Sequence, residues 1–571
     1  MAEKIRCMIQ SKYFYIISIA IVLRIILSEK MGVWFLSSQM YDDALLMSYA
    51  RVNTHFLNPN IYSLVKTIGY PLFINVVYIC QLNYPIALSL VWIFAACLTA
   101  YFFFLISQKK WLSCFAFLYV LFMPMAFEGW LGTRMYRNSI IAPFVIIVFS
   151  FCFIILYRVY FGKYKRLIVD LIACGIFFSF TYYIKEDGLW LLACLMLVVI
   201  FCVIKLLIKS IRCHFKEKKN VRIMAALLIP ILIFACTTVA YKSINKHFFG
   251  VYAIETRNGG EIGKFVANVY KIESENRNSI VWAPADAIEK AFDASPTLKM
   301  HPELIDDVMH TDWFNHDIVN TPIHGDFLTW VLRTSLQKTN LWQSEEQVDS
   351  MFASVNSELD AAFKKGTLKK SDRIQLLSSA GGRTISEMIE LIPLMIEGYK
   401  GAILLKGYVP GSELGDTNST DLCDIASQKT HLSYLSSSEF NTHVPNVTSN
   451  VIANGIFKLY SIINTLLCVI MFFVLLFYLV LIIRNWKNHG IYRIILFQFF
   501  SIIILLCISF AYVFSISWFS EFLFVDGINM IILNFYCVAL PPILMYAYLF
   551  TVSLGSKYVG VLVGKHRAGL S

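Results

Sequence analysis

Long runs without a single charged residue constrain this chain more than any other feature. Stretches of roughly 17–25 apolar residues are stable only where lipid replaces water. Ten such stretches lie near residues 13–28, 84–108, 111–127, 138–157, 167–184, 188–204, 223–241, 459–483, 494–520 and 527–553. Over the 571 residues only 15% are charged and 57% are hydrophobic, where a soluble chain carries about a quarter charged. A soluble enzyme, a disordered chain and a nucleic-acid-binding module are excluded as whole-chain readings. The expected fold is an all-α polytopic membrane protein with ten transmembrane helices. The first stretch is the least regular, because Arg24 interrupts it. It does not read as a cleaved leader, since Met31, Trp34 and Phe35 follow in place of small residues.

The basic residues set an orientation. Lys4, Arg6 and Lys12 precede span 1, Lys109 and Lys110 follow span 2, and Arg158, Lys163, Lys165 and Arg166 follow span 4. Seven more crowd residues 205–222, and Arg484, Lys487, Arg493, Lys557, Lys565 and Arg567 flank the last spans. All fall on one side if both termini are cytoplasmic, as the positive-inside rule requires. Residues 244–454 carry 27 acids against 18 bases and fall on the other side. The net charge of +11 thus reflects insertion beside an anionic leaflet, and no nucleic acid partner is implied.

Three parts follow: a seven-span bundle over 1–243, an extracytoplasmic, mostly helical domain over 244–454, and a three-span bundle over 455–571. The outer segment has Cys423 alone among 14 cysteines, so internal disulfides cannot hold it. Ser344-Glu345-Glu346-Gln347 reads as a helix start, and Met351, Phe352, Val355, Leu359 and Phe363 keep helical spacing after it. Stretches 285–294, 326–336 and 384–407 read as helices, residues 410–450 as loop, and no strand pattern is evident.

Four polar clusters reach the outer face. Asp42-Asp43 opens Ala44-Leu45-Leu46 just after span 1; its bland reading is an N-cap with favourable charge at the helix dipole. Successive helical residues point about 100° apart, so only one acid can face a given pocket. Lys66-Thr67-Ile68-Gly69-Tyr70-Pro71 leads into an apolar stretch too short to span, suited to a helix at the interface. There Lys66 either snorkels or holds an anionic headgroup. Glu128 is followed by Arg134 and Arg137, whose guanidinium groups suit phosphate; the alternative is a Glu128–Arg134 ion pair. Lys185-Glu186-Asp187-Gly188 turns between spans 5 and 6, either as a capped helix start or as a carboxylate and an amine at the membrane surface.

These motifs resemble the GT-C superfamily of integral-membrane glycosyltransferases, in the branch of protein mannosyltransferases and the bacterial aminoarabinose transferase. An acid pair after span 1 and a basic-x-x-Gly-Tyr-Pro stretch correspond to Asp42-Asp43 and Lys66 to Pro71. Asp-Asp-Ala-Leu, Gly-Tyr-Pro-Leu-Phe and Lys185-Glu186-Asp187-Gly188-Leu189-Trp190-Leu191-Leu192 are closer still to uncharacterised bacterial members, over roughly residues 10–200. The chain departs from the family in carrying Asp43 where many members have Glu, and in lacking a clear Lys-Pro-Pro. The resemblance implies a polyprenyl-phosphate sugar as donor and a glycan, glycolipid or protein as acceptor, on the extracytoplasmic face of a bacterial inner membrane. It further implies Asp42, with Asp43, as the catalytic carboxylates and Lys66, Arg134 and Arg137 as the phosphate site. Glu128, Lys185, Glu186 and Asp187 take supporting places.

His301, Asp306, Asp307, His310, Asp312, His316, Asp317, His324 and Asp326 are metal-ligand types without tight ligand spacing. No metal site is expected there, and no cofactor is implied, although a divalent cation at Asp42-Asp43 stays open. Sequons at Asn418 and Asn446 lie on the outer side. Rival functions are a lipid-linked glycan polymerase or ligase, and a transporter or flippase for lipid-linked sugars. The nearly charge-free spans and the lack of an internal repeat argue against transport.

Overall fold

The computed structural model describes residues 12–37, 40–212, 218–311, 323–411, 420–432, 447–484 and 489–568. The chain is an all-α, multi-pass membrane protein. Among the described residues six helices are long and apolar enough to cross a bilayer: Tyr84–Ser107, Asn138–Phe161, Leu189–Arg212, Lys218–Phe249, Val447–Ile483 and Arg493–Phe524. The bent pair Met530–Tyr536 and Leu540–Ser556, with 73° between its helices, makes a seventh if it counts as one span.

The described residues do not confirm ten uninterrupted spans. Span 3 shortens to Lys110–Leu121, ended by the turn at Pro124–Ala126, and span 5 to Leu167–Tyr182. Both fall short of the roughly 20 residues that cross hydrocarbon. The first helix, Lys12–Lys30, is 19 residues long but carries Arg24 and Glu29. Arg24 is 1% exposed, with its guanidinium 4.3 Å from the Phe127 ring centre. The charge thus points into the bundle, the usual resting place of an intramembrane arginine.

The outer segment has its own apolar core. Phe265, Trp282, Phe292, Leu332, Phe352 and Leu359 lie in it, drawn mostly from helices Gly260–Val269, Ala285–Ala294, Leu328–Lys338 and Glu345–Lys365. Ser344 caps the last of these, accepting the Gln347 N–H at 3.1 Å. One short antiparallel pair, Val281–Ala283 with Ile323–His324, is a strand element that the sequence pattern did not announce. The residues expected as loop after 410 include a helix, Thr420–Thr430.

The domain seats on the bundle by specific contacts. Arg383 pairs with Glu521 and donates to the Trp518 carbonyl at 2.7 Å, while the Trp518 indole donates to the Gly381 carbonyl at 2.9 Å. Arg333, fully buried, joins Glu345 to the Ile61 carbonyl of the first outer loop. The outer segment does not end cleanly at 454. Leu394, Met395, Ala402, Leu405, Cys423, Ile425 and Ala426 belong to the apolar core of the membrane bundle instead.

Candidate functional site

The site assembles where four connecting loops meet the outer domain. Asp42 precedes the helix Asp43–Tyr49 but makes no side-chain cap. Its Oδ1 instead accepts from Lys66 Nζ at 2.9 Å and from Tyr136 Oη at 2.9 Å. Asp42 is 36% exposed, whereas Lys66 behind it is 1% exposed. Burial opposes ionisation of Asp42, but Lys66, Arg137 and Arg134 outweigh it and hold the carboxyl well below its ordinary value. Burial draws Lys66 down to about 8, against the pull of Asp42.

Asp43 points the other way. Both its oxygens engage Arg134, through Nε at 2.9 Å and through Nη2, in a pair that excludes solvent. The Arg134 guanidinium is ringed by Trp34, Trp130, Tyr136 and Phe535 at 4.9–5.4 Å. Arg134 is thus held by the Asp43 carboxylate and enclosed by aromatic rings. The Glu128–Arg134 pair does not form. Glu128 accepts the N–H groups of Trp130 and Leu131 at 2.8 and 2.7 Å, and burial pushes it up to about 8.

Glu186 joins the Asp42 side. It pairs with Arg137 and accepts the Thr67 N–H at 3.3 Å, and both members of the ion pair are buried. Burial would raise it, yet Arg137, Lys66 and Arg257 together lower it to about 2. Its chain neighbours diverge. Lys185 and Asp187 lie 3.4 Å apart and face a separate cleft between the helices, walled by Val145, Trp190, Tyr512 and Ala539. Four consecutive residues thus serve two places, because the turn reverses there.

Gly69 explains how the loops come together. Its N–H donates to the Tyr183 carbonyl at 2.7 Å, and a Cβ on Gly69 would stand 2.3 Å from that oxygen. Only glycine allows this approach, which brings Lys66 and Thr67 against Glu186. Tyr70 Oη, Tyr84 Oη and Ser139 Oγ form a buried hydroxyl chain beside it, at 3.0 and 2.7 Å. Pro71 sits in the first turn of Gly69–Ile79, where a missing N–H costs nothing. Leu72, Val76 and Ile79 are exposed along one face of that helix, as an interfacial helix requires.

The outer domain contributes Arg257 and Trp330, which the sequence did not flag. Arg257 pairs with Asp326, and its guanidinium lies 5.4 Å from the Trp330 ring centre; Lys66 Nζ lies 5.6 Å from the same indole. Arg257 acts electrostatically on both Glu186 and Lys66. The Nε groups of Arg137 and Arg257 and the Thr67 hydroxyl are buried without a hydrogen-bond partner. The same holds for Nε of Arg277, Arg333 and Arg383 in the outer domain, so convergence, and not any single donor, distinguishes this cluster. Arg257 stands in an unremarkable Glu-Thr-Arg-Asn run, and nothing in its spacing predicts a place beside Asp42.

Among the described residues no three His, Cys, Asp or Glu side chains converge as a metal site. Asp312, His316 and Asp317, and the sequon residues Asn418 and Asn446, lie outside the described residues. No family model, curated protein or solved structure matches this chain.

Proposed function

We propose that this protein is a membrane glycosyltransferase of GT-C type. It moves a sugar from a polyprenyl-phosphate donor to a glycan, glycolipid or protein acceptor. The reading places both termini in the cytoplasm of a bacterium and the helical domain outside the inner membrane. One observation carries it: the Asp42 carboxylate is partly exposed, bonded to the buried Lys66 ammonium behind it and under the electrostatic influence of Arg137.

The acceptor hydroxyl oxygen attacks the anomeric carbon, and the bond from that carbon to the phosphate oxygen breaks. The electron pair leaves on the lipid phosphate, and Asp42 takes the hydroxyl proton. Direct displacement inverts the anomeric centre. Lys66 and Arg137, together with Arg257, which shares the Trp330 contact with Lys66, neutralise the departing phosphate as a cluster. A bound phosphate would also compete with Asp42 for these cations. That competition raises the Asp42 pKa from its depressed resting position, so the carboxylate becomes a better base when donor is present. Asp43 and Arg134 stand behind as a rigid support.

Protein in lipid nanodiscs, offered a panel of polyprenyl-phosphate monosaccharides, should release polyprenyl phosphate. Asp42→Asn should lower release by about 10²–10⁴-fold while the variant remains folded. Equal turnover by that variant removes Asp42 from the mechanism. No turnover or binding by folded wild type would turn the reading toward polymerisation or transport.

A further inference from the structure

The helices Ile385–Ile389 and Ile392–Leu404 belong by sequence to the polar outer segment, yet they carry an apolar face that is exposed among the described residues. Ile385, Ile389, Ile392 and Ile396 recur at steps of four, three and four and are 69%, 61%, 50% and 49% exposed. We propose that residues 385–406 are a lipid-contacting segment, with this isoleucine stripe among the acyl chains and Lys400 and Lys406 at headgroup level.

The opposite face of the second helix shows why lipid is the occupant. Tyr399 Oη meets Ser509 Oγ at 3.0 Å on the bilayer-length helix Arg493–Phe524. Gly398 packs against Cys537 and Val513, and Gly401 against Asn534, where a Cβ would stand 2.0 Å from Oδ1. Leu394, Met395 and Ala402 are buried in the same apolar core as the membrane helices. A helix docked on one side against these membrane helices presents its other side to whatever surrounds them, which is the bilayer. The ends fit as well. Glu397 bridges Lys400 and Lys406 at 2.7 and 2.8 Å, a charged edge on an apolar stripe as interfacial helices carry.

The segment also touches the candidate site indirectly. The Asn534 amide donates to the Lys406 carbonyl at 2.8 Å, and the adjoining Phe535 stacks on Tyr136, ring centres 5.5 Å apart. Lipid contact at 385–406 is thereby connected to the Tyr136 that donates to Asp42.

The full chain in nanodiscs containing a phosphatidylcholine with a diazirine on its acyl chain tests this directly. After irradiation and tryptic digestion, lipid adducts are expected on Thr384–Lys400, as on Leu459–Arg484, whose Phe472 and Phe473 are exposed on a spanning helix. Hydroxyl-radical footprinting of the same nanodiscs should leave Ile389, Ile392 and Ile396 at background while Met300, exposed on the outer domain, oxidises. Adducts on Leu459–Arg484 without any on Thr384–Lys400, or oxidation of the isoleucines comparable to Met300, would overturn the proposal.

Discussion

Asp42 and Asp43 are consecutive, yet the Asp42 side chain is 36% exposed while Asp43 is wholly enclosed against Arg134. The helix that begins between them turns the two carboxylates apart. One becomes available for chemistry and the other becomes part of the framework.

This difference predicts different outcomes for the two asparagine variants. Asp42→Asn should lower donor turnover by about 10²–10⁴-fold, the contribution of a general base, with a smaller loss of stability than Asp43→Asn, because its amide oxygen can still accept from Lys66 at a partly exposed position. Asp43→Asn should leave Arg134 as a buried, unpaired charge, costing about 3–5 kcal/mol. Unfolding midpoints measured beside turnover would separate them. An equally stable Asp43→Asn would show that the pair is not structural.

Lys66 gives the reaction an alkaline limb. Burial, only partly offset by Asp42, lowers its pKa to about 8. The ammonium is present below that value and lost above it, so phosphate neutralisation fades as pH rises. One unit above its pKa a group keeps about a tenth of its charged form, so kcat/KM should fall about tenfold by pH 9. Lys66→Arg keeps its charge throughout and should remove the limb. A limb that persists in Lys66→Arg belongs to another group.

Gly69→Ala should loosen the site from a distance. The added Cβ would meet the Tyr183 carbonyl at 2.3 Å, backbone against backbone, so the loops must part. A cost of about 1–3 kcal/mol is expected, with reduced turnover because Lys66 and Thr67 move from Glu186. Gly455→Ala, where a Cβ meets nothing within 4 Å, is the matched control and should be neutral or slightly stabilising. Thermal unfolding of the two variants side by side reads the contrast.

Glu128 predicts a pH dependence of stability. Burial raises its pKa from 4.5 to about 8. Between those values the folded chain holds a proton that the unfolded chain has released. Stability therefore falls as pH rises from about 4.5 to about 8 and levels off above. Glu128→Gln keeps an oxygen for the Trp130 and Leu131 N–H groups but cannot titrate. The wild-type minus variant difference in unfolding midpoint should decline across this window, and a flat difference would contradict the assignment.

Much of the architecture was legible in the residues. Uncharged runs are read directly as membrane helices, because lipid punishes charge locally and regardless of fold. Ser344 announced its helix because a cap acts within one turn. The failures were also physical. The 12-residue and 16-residue helices at 110–121 and 167–182 are apolar along their sequence, but their lengths depend on where the chain turns. The helix Ile392–Leu404 read as part of an outer domain because its lipid contact depends on docking against Ser509 and Asn534, over a hundred residues away.

The candidate site divides along the same line. Sequence alone determined which chemistry-bearing side chains gather at the ends of the apolar helices: Asp42, Asp43, Lys66, Arg134, Arg137 and Glu186. Tertiary structure decided their partners. It enclosed Asp43 with Arg134, left Asp42 open over Lys66, turned Lys185 and Asp187 into a different cleft, and brought in Arg257 and Trp330 from the outer domain. Charge and hydropathy are properties of single residues and survive in a one-dimensional reading. Pairing and exposure depend on which distant surfaces meet, and only the packed chain fixes that.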